Sequence, residues 1–251
     1  MRFRGFLIAT AFVGTVASAS AQGVPVQELA CYKTLRGSPA IRPDGKIRFL
    51  LRSPTMDPDD DKSHDTVAIE PDRLPVQESL CDLTRAPNGA FAVGGLLVRF
   101  ENGPRYSGRF AELGQAGNTF NAYMGSVLPN SIREAHAFEK RLGGLVSRGR
   151  MFGLDRYQHA YGIKDGKPTP YTTYSGAVYA GVTSKGHFVQ ITCVDFEIAK
   201  DIACHLTIQA RERTILALVL PTENIGRWAE YSAIMEAYFE AHVEMPAKVP
   251  R

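Results

Sequence analysis

The chain has 251 residues, of which 29 are Lys or Arg and 26 are Asp or Glu, so its formal net charge is +3. With 44% hydrophobic and 22% charged residues, the composition is typical of a folded globular protein. It excludes an intrinsically disordered chain, a collagen and a coiled coil. The small charge excess also gives no support to nucleic-acid binding, which requires a strongly basic face.

The first 21 residues have the pattern of a secretory signal peptide. Arg2 and Arg4 form a positive n-region, residues 6–16 are mostly apolar, and residues 19–21 (Ala-Ser-Ala) fit a small-x-small cleavage site. The apolar run is far shorter than the ~20 residues that span a bilayer. Cleavage would leave Gln22 as the first residue, and cleavage two residues earlier is the alternative. We therefore expect a periplasmic or secreted protein with no membrane span after signal cleavage.

The remaining chain divides into two predicted units. The first, an N-terminal α+β half over residues 22–150, contains predicted strands at 46–52, 66–70 and 90–100. A capping box, Ser131 with Glu134, then predicts the start of a helix. The predicted buried stripe of this helix consists of Ile132, Ala135, Phe138, Leu142, Leu145 and Val146.

The second predicted unit covers residues 151–251. A strand is predicted at 154–163, and a four-stranded antiparallel meander follows at 173–182, 187–196, 202–210 and 214–220. Pro221 ends the last strand, and apolar residues at helical spacing then predict a helix through His242, with Trp228 as its core anchor. Strands gathered in runs, with a helix after each run, indicate an α+β fold. We expect antiparallel sheets that are each packed by an amphipathic helix and stabilised by disulfides.

The four cysteines are the predicted source of these disulfides. An even number of cysteines in an oxidising compartment indicates two bridges, with three connectivities open. We favour Cys193–Cys204, because both residues lie on one predicted hairpin, together with Cys31–Cys81. No C-x-x-C pair is present, so a zinc site is not expected.

Catalytic motifs are missing from the sequence. It contains no G-x-S-x-G, H-E-x-x-H, Walker A or G-x-G-x-x-G pattern, and its six His residues are scattered. We therefore assign no catalytic residue, metal ligand or cofactor and expect binding rather than turnover. A triad assembled from distant residues stays open, because triads are defined by geometry and not by sequence position.

Two groups of residues are candidates for binding. The first is an acidic run that would suit a basic partner: Asp57, Asp59, Asp60 and Asp61. Aligned with an EF-hand loop, this run has Lys62 where Gly is needed and Ala68 where a bidentate Glu is needed, so we expect a solvated loop and not a calcium site. The second group is Tyr157 and Tyr161, which would share one side of the predicted strand. Tyrosine is favoured at protein interfaces, although rings that simply cover a sheet face are the alternative.

The C-terminal third carries a family resemblance. It has a strand with Cys193, a short loop, Cys204 followed by Leu206, a strand that ends at Pro221, and a helix with Trp228. Over residues 186–242 this order resembles the end of periplasmic immunity proteins that neutralise type VI secretion effectors. The resemblance implies a secreted α+β protein that binds and blocks a toxic enzyme, so the expected partner is a protein such as a secreted effector. The alternatives are a periplasmic hydrolase with a non-standard site and an envelope-associated ligand-binding accessory protein.

Overall fold

A computed structural model describes residues 37–52, 64–74, 83–101, 119–126, 131–160, 162–164, 167–169, 176–196 and 201–244. Several sequence-based predictions fall on residues outside these ranges. They are the signal peptide at 1–21, the Cys31–Cys81 bridge, the acidic run at 57–61 and the candidate binding residue Tyr161.

The described residues form two α-helices and a set of mostly antiparallel strands. The helices are α1 (Ser131–Arg141) and α2 (Trp228–His242), with short 3₁₀ helices at Pro71–Arg73 and Thr222–Arg227. The strands are β1 (Ile47–Leu51), β2 (Thr66–Ile69), β3 (Phe91–Val93), β4 (Gly95–Phe100), β5 (Phe120–Ser126), β6 (Leu145–Met151), β7 (Leu154–His159), β8 (Gly162–Lys164), β9 (Lys167–Thr169), β10 (Ala177–Val182), β11 (Phe188–Phe196), β12 (Asp201–Gln209) and β13 (Thr214–Pro221).

Eight of these strands form one large sheet in the order β4-β5-β13-β12-β11-β10-β7-β6. All neighbouring strands in it are antiparallel. Side chains alternate between its two faces, as β13 shows: Leu216, Leu218 and Leu220 are buried, and the residues between them are half-buried. The buried series defines the inner face of the sheet, and the other series defines its outer face. The predicted meander is confirmed as the consecutive strands β10 to β13.

Helix α2 covers the inner face and supplies much of the core. Its buried residues recur at helical spacing: Trp228, Tyr231, Met235 and Phe239. The Tyr231 ring meets Phe120 of β5 edge-on, with 5.2 Å between centroids. Full burial of a side chain of this size contributes about 1.5–3 kcal/mol. The predicted role of Trp228 as a core anchor is confirmed, because its side chain is buried.

A second sheet of three strands, in the order β2-β1-β3, packs into the same core. Strand β1 pairs antiparallel with β2 and parallel with β3. The chain passes from β3 in this small sheet to β4 in the large sheet through the single residue Gly94. Residues of the two sheets therefore share one hydrophobic core.

A polar cluster fastens the end of α2 to the small sheet. Tyr238 Oη donates to Glu70 Oε2 (2.6 Å), while His242 Nε2 and Lys46 Nζ lie 2.8 and 2.9 Å from Glu70 Oε1. Partial burial on its own raises the pKa of the Glu70 carboxyl. The hydrogen bonds from Tyr238, Lys46 and His242 outweigh that effect and lower the pKa to about 2. Burial and the Glu70 carboxylate also raise the pKa of the Tyr238 phenol, so it stays a hydrogen-bond donor.

The predicted α+β fold class is wrong, because the described part of the chain is mostly β-sheet. Its layout differs from the expected one in two respects. The strands do not form one helix-covered sheet per half, because the large sheet combines β4 and β5 with strands from the end of the chain. Only α2 buries its apolar stripe in the main core, while Ala135, Phe138 and Leu142 of the predicted first stripe are exposed. Sequence periodicity shows which residues share a face, but it does not show which distant strand pairs with which.

The predicted cross-link between β11 and β12 is confirmed. Cys193 and Cys204 face each other in the register of the two strands and form a disulfide, with 4.0 Å between their Cα atoms. This separation lies below the ~4.4–6.8 Å usual for disulfides. It is nearer to the ~4.5 Å of a non-hydrogen-bonded antiparallel pair than to the ~5.5 Å of a hydrogen-bonded one. Both cysteines are fully buried in the core beneath α2.

Candidate protein-binding surface

Helix α1 lies on the outer face of the large sheet and contacts it through polar side chains. The His136 ring meets Tyr157 of β7 edge-on at 5.1 Å, and it is tilted against Phe188 of β11 at 5.8 Å. Lys140 Nζ donates to Tyr157 Oη at 3.2 Å, and the Arg133 guanidinium lies 5.7 Å from the centre of the Phe188 ring. Burial lowers the pKa of His136, which favours the neutral ring in this contact.

The apolar side of α1 consequently points away from the sheet. Ala135 is exposed, as are 54% of Phe138 and 70% of Leu142. Leu142 directly follows the last residue of α1, and its N–H donates to the Phe138 carbonyl at 3.0 Å. The three residues therefore keep the helical spacing i, i+3 and i+7 and share a face. We call these three residues the α1 apolar surface. The prediction that they are buried is wrong, because the stems and rings of His136 and Lys140 already fill the contact with Tyr157.

A shallow pocket of about 150 Å³ lies at the C-terminal end of this surface. It is lined by Phe138, Glu139, Leu142, Gly144 and His159. Ligand sites for metabolites and cofactors usually enclose ~300–1,000 Å³, so the size of this pocket suits a single side chain of a partner. Burial lowers the pKa of His159, which favours a neutral imidazole at the pocket wall.

The α1 apolar surface is distinct from the other exposed apolar residues. Large exposed hydrophobic residues elsewhere in the described part of the chain are Leu97, Val146, Phe152 and Val182. Those four lie on different strands or at a turn. Scattered apolar residues are normal on a protein surface, whereas a row along one helix face indicates an interaction site.

The structure places Tyr157, one of the predicted binding residues, beneath α1. Only 5% of Tyr157 is exposed, and its ring belongs to a small cluster with Leu145, Val178 and Ala180. Its hydroxyl accepts the hydrogen bond from Lys140. Tyr157 therefore covers the outer sheet face and holds α1 in its outward orientation. Tyr161 and the four aspartates lie outside the described residues.

A second feature with chemical potential lies where the β10–β11 turn meets α2. Glu236 is 1% exposed, and its Oε1 accepts a hydrogen bond from Thr183 Oγ1 at 2.7 Å. The same Oε1 lies 2.6 Å from His187 Nδ1, and Lys185 forms an ion pair with Glu240 one helical turn further on. The other carboxylate oxygen, Glu236 Oε2, is buried without a hydrogen-bond partner among the described residues. Residues so distant in sequence carry no shared motif, so sequence reasoning missed this pair.

A carboxylate that orients an imidazole is the arrangement found in hydrolytic triads. In the described residues, no hydroxyl or thiol forms a hydrogen bond with the outer nitrogen of His187. The pair thus supplies two of the three triad components. Among the residues that the structure describes there is also no group of three His, Cys, Asp or Glu side chains placed to hold a metal ion.

Comparisons with known proteins add one structural likeness. No protein-family model matches the sequence, and no curated protein is significantly similar to it. The chain is similar in structure to Smlt3025, an immunity protein of the Stenotrophomonas maltophilia type IV secretion system. The two chains are 12% identical, the match covers 72% of this chain and 90% of that one, and the TM-score is 0.45. Smlt3025 belongs to a type IV system, whereas the expectation from residues 186–242 is an immunity protein of a type VI system.

None of the helices in the described ranges is both long enough and apolar enough to cross a membrane.

Proposed function

We propose that this chain is an inhibitory binding protein of the immunity type, which holds a partner protein on the α1 apolar surface. The observation that carries the proposal is the outward orientation of Phe138 and Leu142. Exposed apolar rows of this kind mark protein contact sites. The arrangement of residues 186–242, which resembles immunity proteins, agrees with this function.

The energetics of the surface suit a protein interface. Phe138 and Leu142 are 54% and 70% exposed, so complete burial by a partner would contribute about 1–2 kcal/mol for each side chain. Specific interfaces bury about 1,600 Å² in total and draw most of their affinity from a few anchors near the centre. The Phe138 ring beside the small pocket is placed to act as one of these anchors.

The place of action that we propose is the periplasm, and the proposed partner is a secreted toxic effector. The signal-peptide pattern at residues 1–21 supports the location. The resemblance to type VI immunity proteins supports the class of partner. Intact mass of the protein from the envelope fraction tests the location, since we expect a chain that starts at Gln22. A full-length chain retained in the membrane would contradict it.

A double substitution, Phe138→Ser with Leu142→Ser, tests the binding function. We expect the wild-type chain to capture a partner from native envelope extract and the double variant to lose it. The matched control is Leu97→Ser with Val182→Ser, which removes two exposed apolar residues on strands β4 and β10. Equal capture by the double variant and the wild type would overturn the proposal, provided that circular dichroism shows both to be folded.

The alternative function, a hydrolase, rests on the His187–Glu236 pair. If the pair acts in catalysis, the purified protein should hydrolyse a panel of chromogenic esters and peptides, and His187→Gln should abolish the activity. The control is His205→Gln, which changes a surface histidine on β12. Turnover that His187→Gln abolishes and His205→Gln preserves would favour the hydrolase over the binding protein.

A further inference from the structure

The α1 apolar surface also indicates what kind of structural element docks there. We infer that the partner contributes an amphipathic helix with an acidic rim, which packs along α1. This inference rests on the proposed binding function and adds the chemistry of the partner. Three observations carry it. They are the helical spacing of the α1 apolar surface, the bulge that protects edge strand β6 from strand addition, and the charge of residues 131–151.

The spacing of the surface fits a helix. Ala135 and Phe138 of α1, together with Leu142 directly after it, form a ridge along one side. Helices pack by placing such ridges into the grooves of a neighbouring helix, so a partner helix offers the matching surface. Apolar anchors at i, i+3 or i+4, and i+7 are the pattern by which helices are recognised. The small pocket next to Phe138 and Leu142 would take one apolar side chain from the partner helix.

Addition of a partner strand is the main competing mode, and the geometry of β6 opposes it. In the part of the chain that the structure describes, β6 is an edge strand and pairs only with β7. Its ladder is interrupted by a bulge between Ser147 and Arg150, and Gly149 within the bulge has a φ of +83°. Bulges and charged residues are the devices that protect sheet edges from strand addition. Only the short stretch from Leu145 to Ser147 is left as a regular edge.

The charge of residues 131–151 indicates which charged side chains surround the apolar face of the partner helix. Residues 131–151 contain five basic side chains and two acidic ones, Glu134 and Glu139, a formal excess of three. Two of the basic residues, Arg133 and Lys140, lie against rings of the sheet. Arg141 and Arg148 form no ion pair with a described residue. Arg150 is paired with the exposed Asp155. An acidic rim on the partner would match this excess and would increase the association rate.

Photo-crosslinking at the surface identifies the docked element. Phe138 is replaced by benzoyl-phenylalanine, and a matched chain carries the same group at Leu97, on the far edge strand of the sheet. Both chains are irradiated in native envelope extract, and the cross-linked peptides are mapped. We expect the position 138 adduct to be a peptide of another protein with apolar residues at helical spacing and a net negative charge. The position 97 chain should not give this adduct.

The alternative outcomes separate this inference from the proposed function. An adduct with a second copy of this chain, with another segment of the same chain, or with a basic or strand-patterned peptide would overturn the inference alone. If a partner is captured but position 138 gives no adduct, the inference is likewise overturned while the proposed function stands. If the unmodified chain captures no partner, the proposed function fails and the inference fails with it.

A charge reversal provides an independent measurement on the captured partner. Arg148→Glu should reduce the association rate constant about fivefold and make it less sensitive to salt, because steering by opposite charge is lost. The control is Arg42→Glu, an equal charge change at an exposed ion pair with Asp44. An association rate that is unchanged or increased in Arg148→Glu would contradict the acidic rim.

Discussion

Glu70 shows how a single side chain can join two parts of the fold. Its two oxygens receive contacts from Tyr238 and His242 of α2 and from Lys46 before β1. Because these contacts lower the pKa of Glu70 to about 2, they stabilise the folded chain while the carboxylate is charged. This contribution is fully present above the unfolded pKa of 4.5 and is lost as the pH falls through about 2.

Glu70→Gln should therefore lower stability at neutral pH and remove part of the acid sensitivity. We expect a cost of about 1–2 kcal/mol at pH 7, after allowance for solvent screening of this partly exposed group. The difference in free energy of unfolding between variant and wild type should become smaller from pH 4.5 towards pH 2. Urea unfolding followed by circular dichroism at several pH values measures it. Glu230→Gln, at the exposed pair with Arg227, is the control and should change little. A gap that is constant with pH would show that the charge of Glu70 has no role.

Phe152 is the only described residue other than glycine with a positive φ, at 55°. With Gly153 at 81° it forms the two-residue β6–β7 turn, in which both central residues need positive φ. Its carbonyl accepts a hydrogen bond from Trp228 Nε1 at 2.8 Å, and its ring lies 6.0 Å from that of Tyr179. The conformation is held by these contacts, since bulky residues rarely adopt it.

A comparison of two substitutions separates backbone strain from the loss of the ring. Phe152→Asn and Phe152→Val both remove the contact with Tyr179, but Asn tolerates a left-handed conformation and β-branched Val does not. We expect the Val variant to be less stable than the Asn variant by about 1–2 kcal/mol. Thermal unfolding measures the difference. Equal stability of the two variants would mean that the turn changes its conformation in the variants.

At the scale of elements, the β11–β12 hairpin combines local pairing with a covalent bond. The disulfide joins residues 11 apart in sequence, so it closes a short loop. Cys193→Ala with Cys204→Ala should lower the free energy of unfolding by about 2–3 kcal/mol. Chemical denaturation of the double variant against the oxidised wild type measures this cost. An unchanged midpoint would indicate that the register of the hairpin already restricts the unfolded chain as much as the bond does.

The same hairpin shows why part of the fold could be predicted from sequence. Strands β10 to β13 are consecutive neighbours, so alternation and turn residues were enough to define the meander and the Cys193–Cys204 bridge. The pairing of β5 with β13 was missed because it joins segments far apart in sequence. Helix α1 was also predicted, and Phe138 and Leu142 were placed on one face. Sequence alone could not show that His136 and Lys140 would occupy the contact with the sheet.

The candidate sites had weaker sequence evidence than the fold. Tyr157 is a predicted binding residue because tyrosine is common at protein interfaces. The structure places it between α1 and the sheet, on the side of α1 opposite the α1 apolar surface. His187 and Glu236 come together only because a turn of the sheet meets the middle of α2. No local sequence pattern predicts the contact of Tyr157 with α1 or that of His187 with Glu236. Both contacts depend on the packing of α1 and α2 on opposite faces of the sheet.

At the scale of the whole molecule, stability should decrease from the centre of the large sheet to its edges. Strands β11 to β13 are hydrogen-bonded on both sides and packed against α2, whereas β6 has one described neighbour and α1 rests on a few polar contacts. We expect native-state hydrogen exchange to be slowest in β12 and fastest in β6 and α1. Exchange read by mass spectrometry tests this order. If the amides of α1 exchange as slowly as those of β12, the α1 apolar surface is covered in the free protein.

The pairing of β5 with β13 also affects the order of events during synthesis. Strand β5 leaves the ribosome long before its partner β13, at a typical rate of ~5–20 residues per second. The large sheet cannot close around its core until the C-terminal strands and α2 have been made. Non-local pairing of this kind also slows folding to roughly milliseconds to seconds. Completion of the large sheet therefore waits for the last strands of the chain, so we expect this sheet to close only after synthesis has passed α2.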